Sequence, residues 1–483
     1  MILRGRIAQV VAVLTGTLTA LSDGMQYGWT SPIGQILLSP NSPIYADESD
    51  ILWLENLYMF GGFVGLSLTI YLLDTVGRKR TMTISAVESL IAWVLIASTS
   101  SMKVLYVARV LTGIAADVNF VAAPVYIAEI SDKNVRGRLS SVVYMMMMTG
   151  VVLIYIIGPI VSITVSSLIG AGILVVQLLT FSFMPESPYY LLMKNEKEQA
   201  RDSLAMFRPS FDVDEELEEI LDFVENDNAK RGRIMDLFKV KSNFKAFAIL
   251  TVLNTAQHFS GISVMFMNMH LILKDAKGIL PINMAAIIFA ALMLLANIIS
   301  GSVIDMIGRK LLLYTSSFLT GISLLILAFY FDIRDKVVDI YKYNWIPIFA
   351  IMLYAVVYKY GLGLVPIVLT AELYPTNIKA VGVTAADAVY IVSAVSSITV
   401  FYFLQKNFGM KVPFYLFGAC CIVTCLFSIL MVPETKGKTL DEIQGLLKGE
   451  VLPNVDETKI DEQAPTGLLN NNSKTTSDYG ARD

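Results

Sequence analysis

The chain has 483 residues, of which 55% are hydrophobic and only 16% are charged. One water-soluble core of ordinary size cannot bury this much apolar surface, so the composition excludes an ordinary soluble domain. The formal net charge of −4 excludes the strongly basic surface that nucleic-acid binding requires, and nucleic acid is not an expected partner.

In chain order, twelve segments are apolar and close to the ~20 residues that a helix needs to cross a bilayer. They cover residues 8–30, 52–73, 81–99, 104–127, 139–161, 165–184, 246–268, 282–304, 311–331, 345–370, 380–402 and 412–432. The first follows Arg4 and Arg6 without a short small-residue cleavage site, so we expect it to stay in the protein. The pattern predicts an all-α membrane protein with twelve transmembrane helices, for which the lipid bilayer is a partner.

Lysine and arginine predict the direction of the spans, because cytoplasmic loops are enriched in them. Alternate loops carry most of these residues, which places both termini in the cytoplasm. The predicted domains are an N-terminal six-helix bundle (1–190), a cytoplasmic helical linker (191–245), a C-terminal six-helix bundle (246–440) and a cytoplasmic, largely disordered tail (441–483).

Few residues could hold a metal or form a disulfide. Cys420, Cys421 and Cys425 lie in one apolar segment, and the chain has two histidines. These features predict packing roles for the cysteines, with no metal site. Because the sequence has no phosphate-binding loop with its lysine, we expect no ATP hydrolysis, no cofactor and no enzymatic activity.

Three charged motifs recur in the same order in the two halves, each at the predicted cytoplasmic end of the corresponding span. They are Asp-x-x-Gly-Arg-Lys at 74–79 and 305–310, an acid seven residues before a base at Glu129/Arg136 and Glu372/Lys379, and Pro-Glu-Ser/Thr at 185–187 and 433–435. The recurrence predicts two six-helix repeats related by an axis normal to the membrane.

Two interpretations of these charges are open. The bases can simply orient the loops. Because acids add little to orientation, the mixed signs favour ion pairs that clamp the two halves together at the cytoplasmic face and exchange as the protein changes state. The candidate cytoplasmic gate residues are Asp74, Arg78, Glu129, Arg136, Glu186, Asp305, Arg309, Glu372, Lys379 and Glu434.

These motifs, together with Gln-His-Phe-Ser-Gly-Ile at 257–262 and Pro-Glu-Thr-Lys-Gly at 433–437, resemble the sugar porter branch of the major facilitator superfamily. Gly-Trp-Thr-Ser-Pro at 28–32 is similar in particular to insect facilitated trehalose transporter-like proteins. The resemblance implies twelve helices, alternating access, and a site for a hexose, a trehalose-like disaccharide or a related polar solute midway through the membrane.

The expected sugar pocket departs from the family pattern. Gln257 is kept, but His258 and Ser263 replace family amides, and Tyr144 and Tyr390 stand where the family has Gln and Asn. Because each sugar hydroxyl needs a hydrogen-bond partner once water is removed, these side chains must take over the missing contacts. The candidate substrate-binding residues are Gln257, His258, Ser263, Tyr144, Lys359 and Tyr390.

Ionisable residues inside spans are functional candidates, because a charge at a helix centre is unfavourable by about 2.5–3.5 kcal/mol. The set is Asp23, Glu88, Arg109, Asp117, Lys359 and Asp387. Lys359 is expected about 20 Å, and Asp387 about 12 Å, from the cytoplasmic ends of neighbouring spans. Two interpretations are open: a long lysine leaning toward Asp387 forms a structural ion pair with it, or Lys359 is a pore-lining cation. Arg109 is expected to make a structural contact near the outer end, while Asp23, Asp117 and Asp387 are candidates for a proton or ion relay.

Three functions follow. The first is a facilitative carrier of a sugar or related polar solute in the plasma membrane, and the second is a proton-coupled or organic-ion carrier that uses the buried charges. The third is a non-transporting membrane sensor that keeps the gate but not the pocket. The sequence leaves the oligomeric state open.

Overall fold

The computed structural model describes residues 4–132, 135–209, 213–229, 234–276, 279–334, 336, 343–375, 378–438 and 440–448. The side chains of 225–229, Ile234, Ser302, Asp305, Ala371, Ala380, Leu440 and Asp441 are outside this description.

In the N-terminal half, the first span is broken twice and consists of α1, α2 and α3. The helices of this half are α1 (Gly5–Gly16), α2 (Leu18–Gly28), α3 (Thr30–Leu37), α4 (Glu48–Thr75), α5 (Arg78–Ser98), α6 (Met102–Ile130), α7 (Arg136–Ile157) and α8 (Ile163–Phe181). Asp47 caps α4, since its carboxylate accepts from the Asp50 N–H while Asp50 accepts from the Asp47 N–H. The helices α2 and α7 pack closely because a Cβ on Gly24 would lie 1.9 Å from the Met147 carbonyl oxygen.

Four short helices follow, and the C-terminal half then repeats the pattern of the first. The short helices are α9 (Pro188–Met193), α10 (Lys197–Phe207), α11 (Asp214–Ala229) and α12 (Ile234–Lys239). The C-terminal half contains α13 (Lys241–Phe259), α14 (Ile262–Ala276), α15 (Ile282–Ile307), α16 (Arg309–Arg334), α17 (Ile346–Tyr360), α18 (Val365–Glu372), α19 (Lys379–Phe408), α20 (Lys411–Met431) and α21 (Leu440–Lys448).

Within the described residues, eleven helical segments are long and apolar enough to cross a membrane. The remaining predicted span, 246–268, is the α13–α14 pair, which is interrupted at Ser260 and at Gly261 with a φ of +83°. Polar residues on this pair, among them Asn254 and Asn268, lower its hydropathy. Together these elements account for the twelve predicted spans.

Some helix pairs pack within one half of the molecule, and two pairs pack across the halves. Inside the N-terminal half, α4 and α5 pack on α6 and α2 packs on α7; inside the C-terminal half, α13 packs on α19 and α16 packs on α17 and α20. Across the halves, α4 packs on α19 and α7 packs on α15, and α14 also contacts α2 and α3. The residues between these two contacts across the halves are therefore those that a rocking motion would expose first to one side of the membrane and then to the other.

Candidate functional site

The polar residues predicted for the substrate site gather where α13 ends and α14 begins. Gln257 and His258 are on the last turn of α13 and Ser263 is on the first turn of α14, and all three are buried. The Ser263 hydroxyl lies 2.9 Å from Nδ1 of His258 and 3.0 Å from the Tyr27 hydroxyl of α2. A continuous polar contact thus crosses from one half of the molecule to the other.

A second broken helix meets the first at this point. The chain leaves the helical path between α17 and α18, at residues 361–364, and the Leu362 carbonyl accepts a 2.9 Å hydrogen bond from Nε2 of Gln257. Non-helical backbone inside a membrane protein occurs where it is buried in protein or lines a cavity, because its polar groups need partners there. Two interrupted helices in contact are a typical setting for a solute site near the bilayer midplane.

Aromatic residues line the side of this cluster that is exposed. The Tyr390 ring is centred 4.1 Å from the buried imidazole of His258, yet 38% of Tyr390 is exposed. Tyr144 on α7 is half-buried, stacks edge-on against Phe120 at 5.2 Å, and lies within electrostatic range of Asp387 and Tyr390. The structure therefore brings together Gln257, His258, Ser263 and Tyr390, with Tyr144 opposite them on the other half.

Lys359 is at the last turn of α17, next to the helix break, where its side chain lies over Gly363. The prediction that Lys359 forms an ion pair with Asp387 is wrong. The structure describes both side chains, and they do not form an ion pair with each other. The reason is the packing of the helices: α17 lies against α15 and α16, whereas α19 lies against α13 and α4. Of the two alternatives, the structural pair is excluded and the cation remains a candidate.

The repeated cytoplasmic charges form two equivalent clusters. Arg78 pairs with Glu129 at 3.0 Å and Ser187 donates to the same carboxylate. Arg309 pairs with Glu372 at 2.9 Å, and Thr435 donates to Glu372 at 2.6 Å. Each ion pair joins helices of the same half, so the interpretation that these two pairs clamp one half to the other is wrong.

The other predicted gate residues take different positions. Glu186 accepts the Lys79 N–H at 2.8 Å, and Glu434 accepts the Arg309 N–H at 3.0 Å. Asp74 is exposed at the end of α4, Arg136 is half-buried at the start of α7, and Lys379 is exposed at the start of α19. The side chain of Asp305 lies outside the described residues.

The hydrogen bonds of the candidate relay acids go to other side chains. Asp23 is buried on α2 and accepts a 3.1 Å hydrogen bond from Asn119, whereas Asp117 faces Thr69 at 3.4 Å. Asp387 is half-buried and lies within electrostatic range of Asp117. A relay among them stays a prediction.

On the predicted outer side, a set of buried hydrogen bonds joins the two halves. Ser31 lies 2.8 Å from Nδ1 of His270, and the Tyr155 hydroxyl donates to the Phe266 carbonyl at 2.6 Å. Thr30 donates to the Met267 carbonyl at 3.4 Å. These contacts close the outer end of the space between the halves.

Sequence reasoning missed Glu55, which belongs to the same outer set. Its carboxylate is fully buried on α4 and accepts a 3.0 Å hydrogen bond from Asn268 of the other half. Glu55 is only three residues inside the predicted span 52–73, and an acid so close to the end of a span is a weak signal for a functional residue. Arg109 is fully buried and donates to the Gln26 and Leu54 carbonyls, which agrees with the expected structural role.

The sequence pattern of the family described as "Sugar (and other) transporter" matches residues 10–447. The chain belongs to this sugar transporter family. It follows from the membership that the protein is a transporter and not an enzyme.

The chain is similar to transporters of glucose and trehalose. It is 28% identical over 458 residues to the mouse "Solute carrier family 2, facilitated glucose transporter member 6", and the match covers 90% of each chain. It is 27% identical over 448 residues to a "Facilitated trehalose transporter" of Apis mellifera ligustica, covering 92% of this chain and 89% of the other.

The fold is similar to that of a bacterial transporter. The "Inward open conformation of the xylose transporter XylE from E. coli" matches with a TM-score of 0.72 at 20% identity, covering 91% of this chain and 98% of the other. Another structure of XylE, described as a proton:xylose symporter bound to 6-bromo-6-deoxy-D-glucose, gives 0.70 at 21% identity. These matches confirm the twelve-helix major facilitator fold.

Proposed function

We propose that the transporter carries a hexose, a trehalose-like disaccharide or a related polar solute by facilitated diffusion across the plasma membrane. The observation that supports this is the polar cluster of Gln257, His258 and Ser263 at the junction of two broken helices. Its amide, imidazole and hydroxyl groups are donors and acceptors of the kind that sugar hydroxyls require. The names of the glucose and trehalose transporters among its relatives support the same substrate class.

The solute would enter this cluster by replacing contacts that the protein now makes with itself. Ser263 already bonds to both His258 and Tyr27, so a bound hydroxyl group must take over one of these bonds. Tyr390 and Tyr144 offer aromatic faces on which an apolar sugar face can stack. Alternating access would follow when the halves rock about the cluster.

Uptake into proteoliposomes tests the proposal. Purified protein is assayed with radiolabelled glucose, trehalose and a polyol, with and without a pH gradient. Facilitated diffusion predicts saturable uptake that stops at equal concentrations and is unaffected by the gradient. Accumulation driven by the gradient would instead support the proton-coupled alternative, and binding without uptake would support the sensor.

A matched pair of variants locates the site. Ser263→Ala removes the hydrogen bonds of Ser263 to His258 and Tyr27, and we expect KM to rise about 2–12-fold, since a net hydrogen bond contributes about 0.5–1.5 kcal/mol. Ser428→Ala removes an equally buried hydroxyl that donates to the Thr424 carbonyl of its own helix at 2.7 Å. Equal kinetic effects of the two changes would argue against the site.

Lys359 supports a second candidate substrate, an acidic organic solute. This lysine lies at the helix break beside the cluster without an ion pair to Asp387, and it is half-buried. An ammonium group in this position could bind a carboxylate that a neutral sugar lacks. Uptake of a hexuronate that exceeds glucose uptake, and that Lys359→Met abolishes, would favour this candidate over the neutral sugar.

A further inference from the structure

We propose that Glu55 is a latch that holds the outer side of the transport path closed, by accepting a hydrogen bond from Asn268 across the two halves. Glu55 is thus a positioning residue of the transport cycle. The proposal rests on the transporter family and does not require that the substrate is a sugar.

The latch is a buried chain of three polar side chains from three helices. Nδ2 of Asn268 donates to Oε2 of Glu55 at 3.0 Å, and the Tyr402 hydroxyl donates to Oδ1 of Asn268 at 2.7 Å. The Tyr402 hydroxyl also lies 3.5 Å from Oε1 of Glu55, but its single proton belongs with the shorter contact. Glu55 is on α4 of the N-terminal half, whereas Asn268 and Tyr402 are on α14 and α19 of the C-terminal half.

The surroundings of Glu55 explain why this contact is strong. The residue is 0% exposed, so water competes little for its oxygens. A buried acceptor or donor that loses its partner without gaining water is unfavourable, so separating Asn268 from Glu55 is opposed for as long as the site stays closed to water.

The helix α14 is deformed at the contact. Asn268 has φ −121° and ψ 18°, which is outside the helical region, although it lies inside α14. A helix that deviates at one polar residue has a local point where its two parts can change their relative direction. Separating Asn268 from Glu55 would therefore move the outer part of α14, which also carries His270 and its contact to Ser31.

A small cavity lies next to the latch, since Asn268 and Tyr402 line it. The cavity has a volume of about 30 Å³ and is lined by residues of both halves, including Gln35, Glu48, Met267 and Asn268. Opening of the halves would enlarge this cavity and expose Met267, which is now fully buried. Met267 is thus a reporter position for the state of the outer side.

The test measures labelling of a cysteine at position 267 by a membrane-impermeant maleimide on intact cells. In a Met267→Cys background, Glu55→Leu keeps a side chain of similar size but removes the acceptor. We expect the labelling rate to rise about 5-fold, because the hydrogen bond between the two halves is lost. The same variants without Met267→Cys give the background from Cys420, Cys421 and Cys425.

Glu88→Leu is the matched control, because it makes the same chemical change in a span, on α5, which packs within the N-terminal half. We expect it to leave the labelling rate unchanged. Leu174→Cys, at a buried position on α8, reports general unfolding, and its labelling should also stay unchanged in the Glu55→Leu protein. A rise at both cysteines would mean that Glu55 only stabilises the fold, and no rise at either would mean that it is not a latch.

A double-mutant cycle distinguishes the latch from independent contacts. Asn268→Ala should raise the labelling rate at least as much as Glu55→Leu, and the double variant should raise it no further, because both changes remove the same bond. If the double variant showed the product of the two single effects, about 25-fold or more, Glu55 and Asn268 would act separately and the proposal would be overturned.

Discussion

Two glycines with positive φ shape the repeated cytoplasmic motif. Gly77 and Gly308 each have φ +104°, a value that side chains rarely adopt. At these turns the carboxylates of Glu186 and Glu434 receive the first N–H groups of α5 and α16. An acid at the start of a helix is favourable because its backbone N–H groups lack partners and carry partial positive charge.

Gly77→Ala should therefore destabilise the fold. A Cβ there would lie 2.6 Å from Oε2 of Glu186, and the backbone would be strained, which together reduce the free energy of unfolding by about 1–3 kcal/mol. Thermal unfolding of the purified protein in detergent measures the change. Gly172→Ala on α8, where nothing outside the neighbouring backbone of its own helix lies within 4 Å of the new Cβ, serves as the control and should melt no lower than the unmodified protein.

At the scale of the element, helix ends and breaks depended on contacts that the sequence does not display. The predicted span 246–268 proved to be two helices that extend from Lys241 to Ala276, because Gly261 allows a break and Gln257 bonds to the opposing break at Leu362. The repeated motifs did locate the ends of α4, α6 and α8 and of their counterparts. Local signals sufficed there because each motif acts on its own helix end.

A buried arginine joins the linker helix α11 to the membrane domain. Arg208 follows α10, donates to the Ile130 carbonyl at 2.9 Å, and pairs with Asp132 at 3.2 Å and with Glu216 of α11 at 2.7 Å. It thus ties α11 to the end of α6. Removing one partner of a mostly buried ion pair is more destabilising than removing one partner of an exposed pair, because the remaining charge is left without compensation.

Arg208→Ala should loosen α11 from the membrane domain. We expect amide hydrogen exchange in 214–224 to speed up by about tenfold, which corresponds to about 1.4 kcal/mol. Arg201→Ala is the comparison, because Arg201 lowers the pKa of Asp214 through an ion pair whose side chains are 52% and 60% exposed. If both changes accelerated exchange equally, the burial of Arg208 would not matter.

At the scale of the whole molecule, the fold was predictable and the contacts between the halves were not. The lengths of the apolar segments predicted the spans. The proximity of Gln257, His258 and Ser263 was predictable because these residues are close together in the sequence. The Lys359–Asp387 pair failed because spans that are neighbours in the chain need not pack on each other: α17 lies against α15 and α16, and α19 lies against α13 and α4. Glu55 was missed because its partner Asn268 is 213 residues away.

The outer contacts distinguish bonds that hold the two halves together from bonds that hold one half together. Tyr155 on α7 donates to the Phe266 carbonyl of the other half at 2.6 Å. Tyr126 on α6 donates to the Pro185 carbonyl of its own half at 2.8 Å. Both tyrosines are fully buried, so the same change at each site removes the same type of bond.

Tyr155→Phe should therefore shift the conformational equilibrium, whereas Tyr126→Phe should lower stability without shifting it. Loss of a net 0.5–1.5 kcal/mol from the outer-closed state corresponds to a change of about 2–12-fold in its equilibrium with the open state. Maleimide labelling of Met267→Cys from outside should rise by this factor in the first variant and stay constant in the second, while thermal unfolding should report the loss in the second. Equal labelling in both variants would mean that the Tyr155 bond persists through the cycle, so the halves would separate elsewhere.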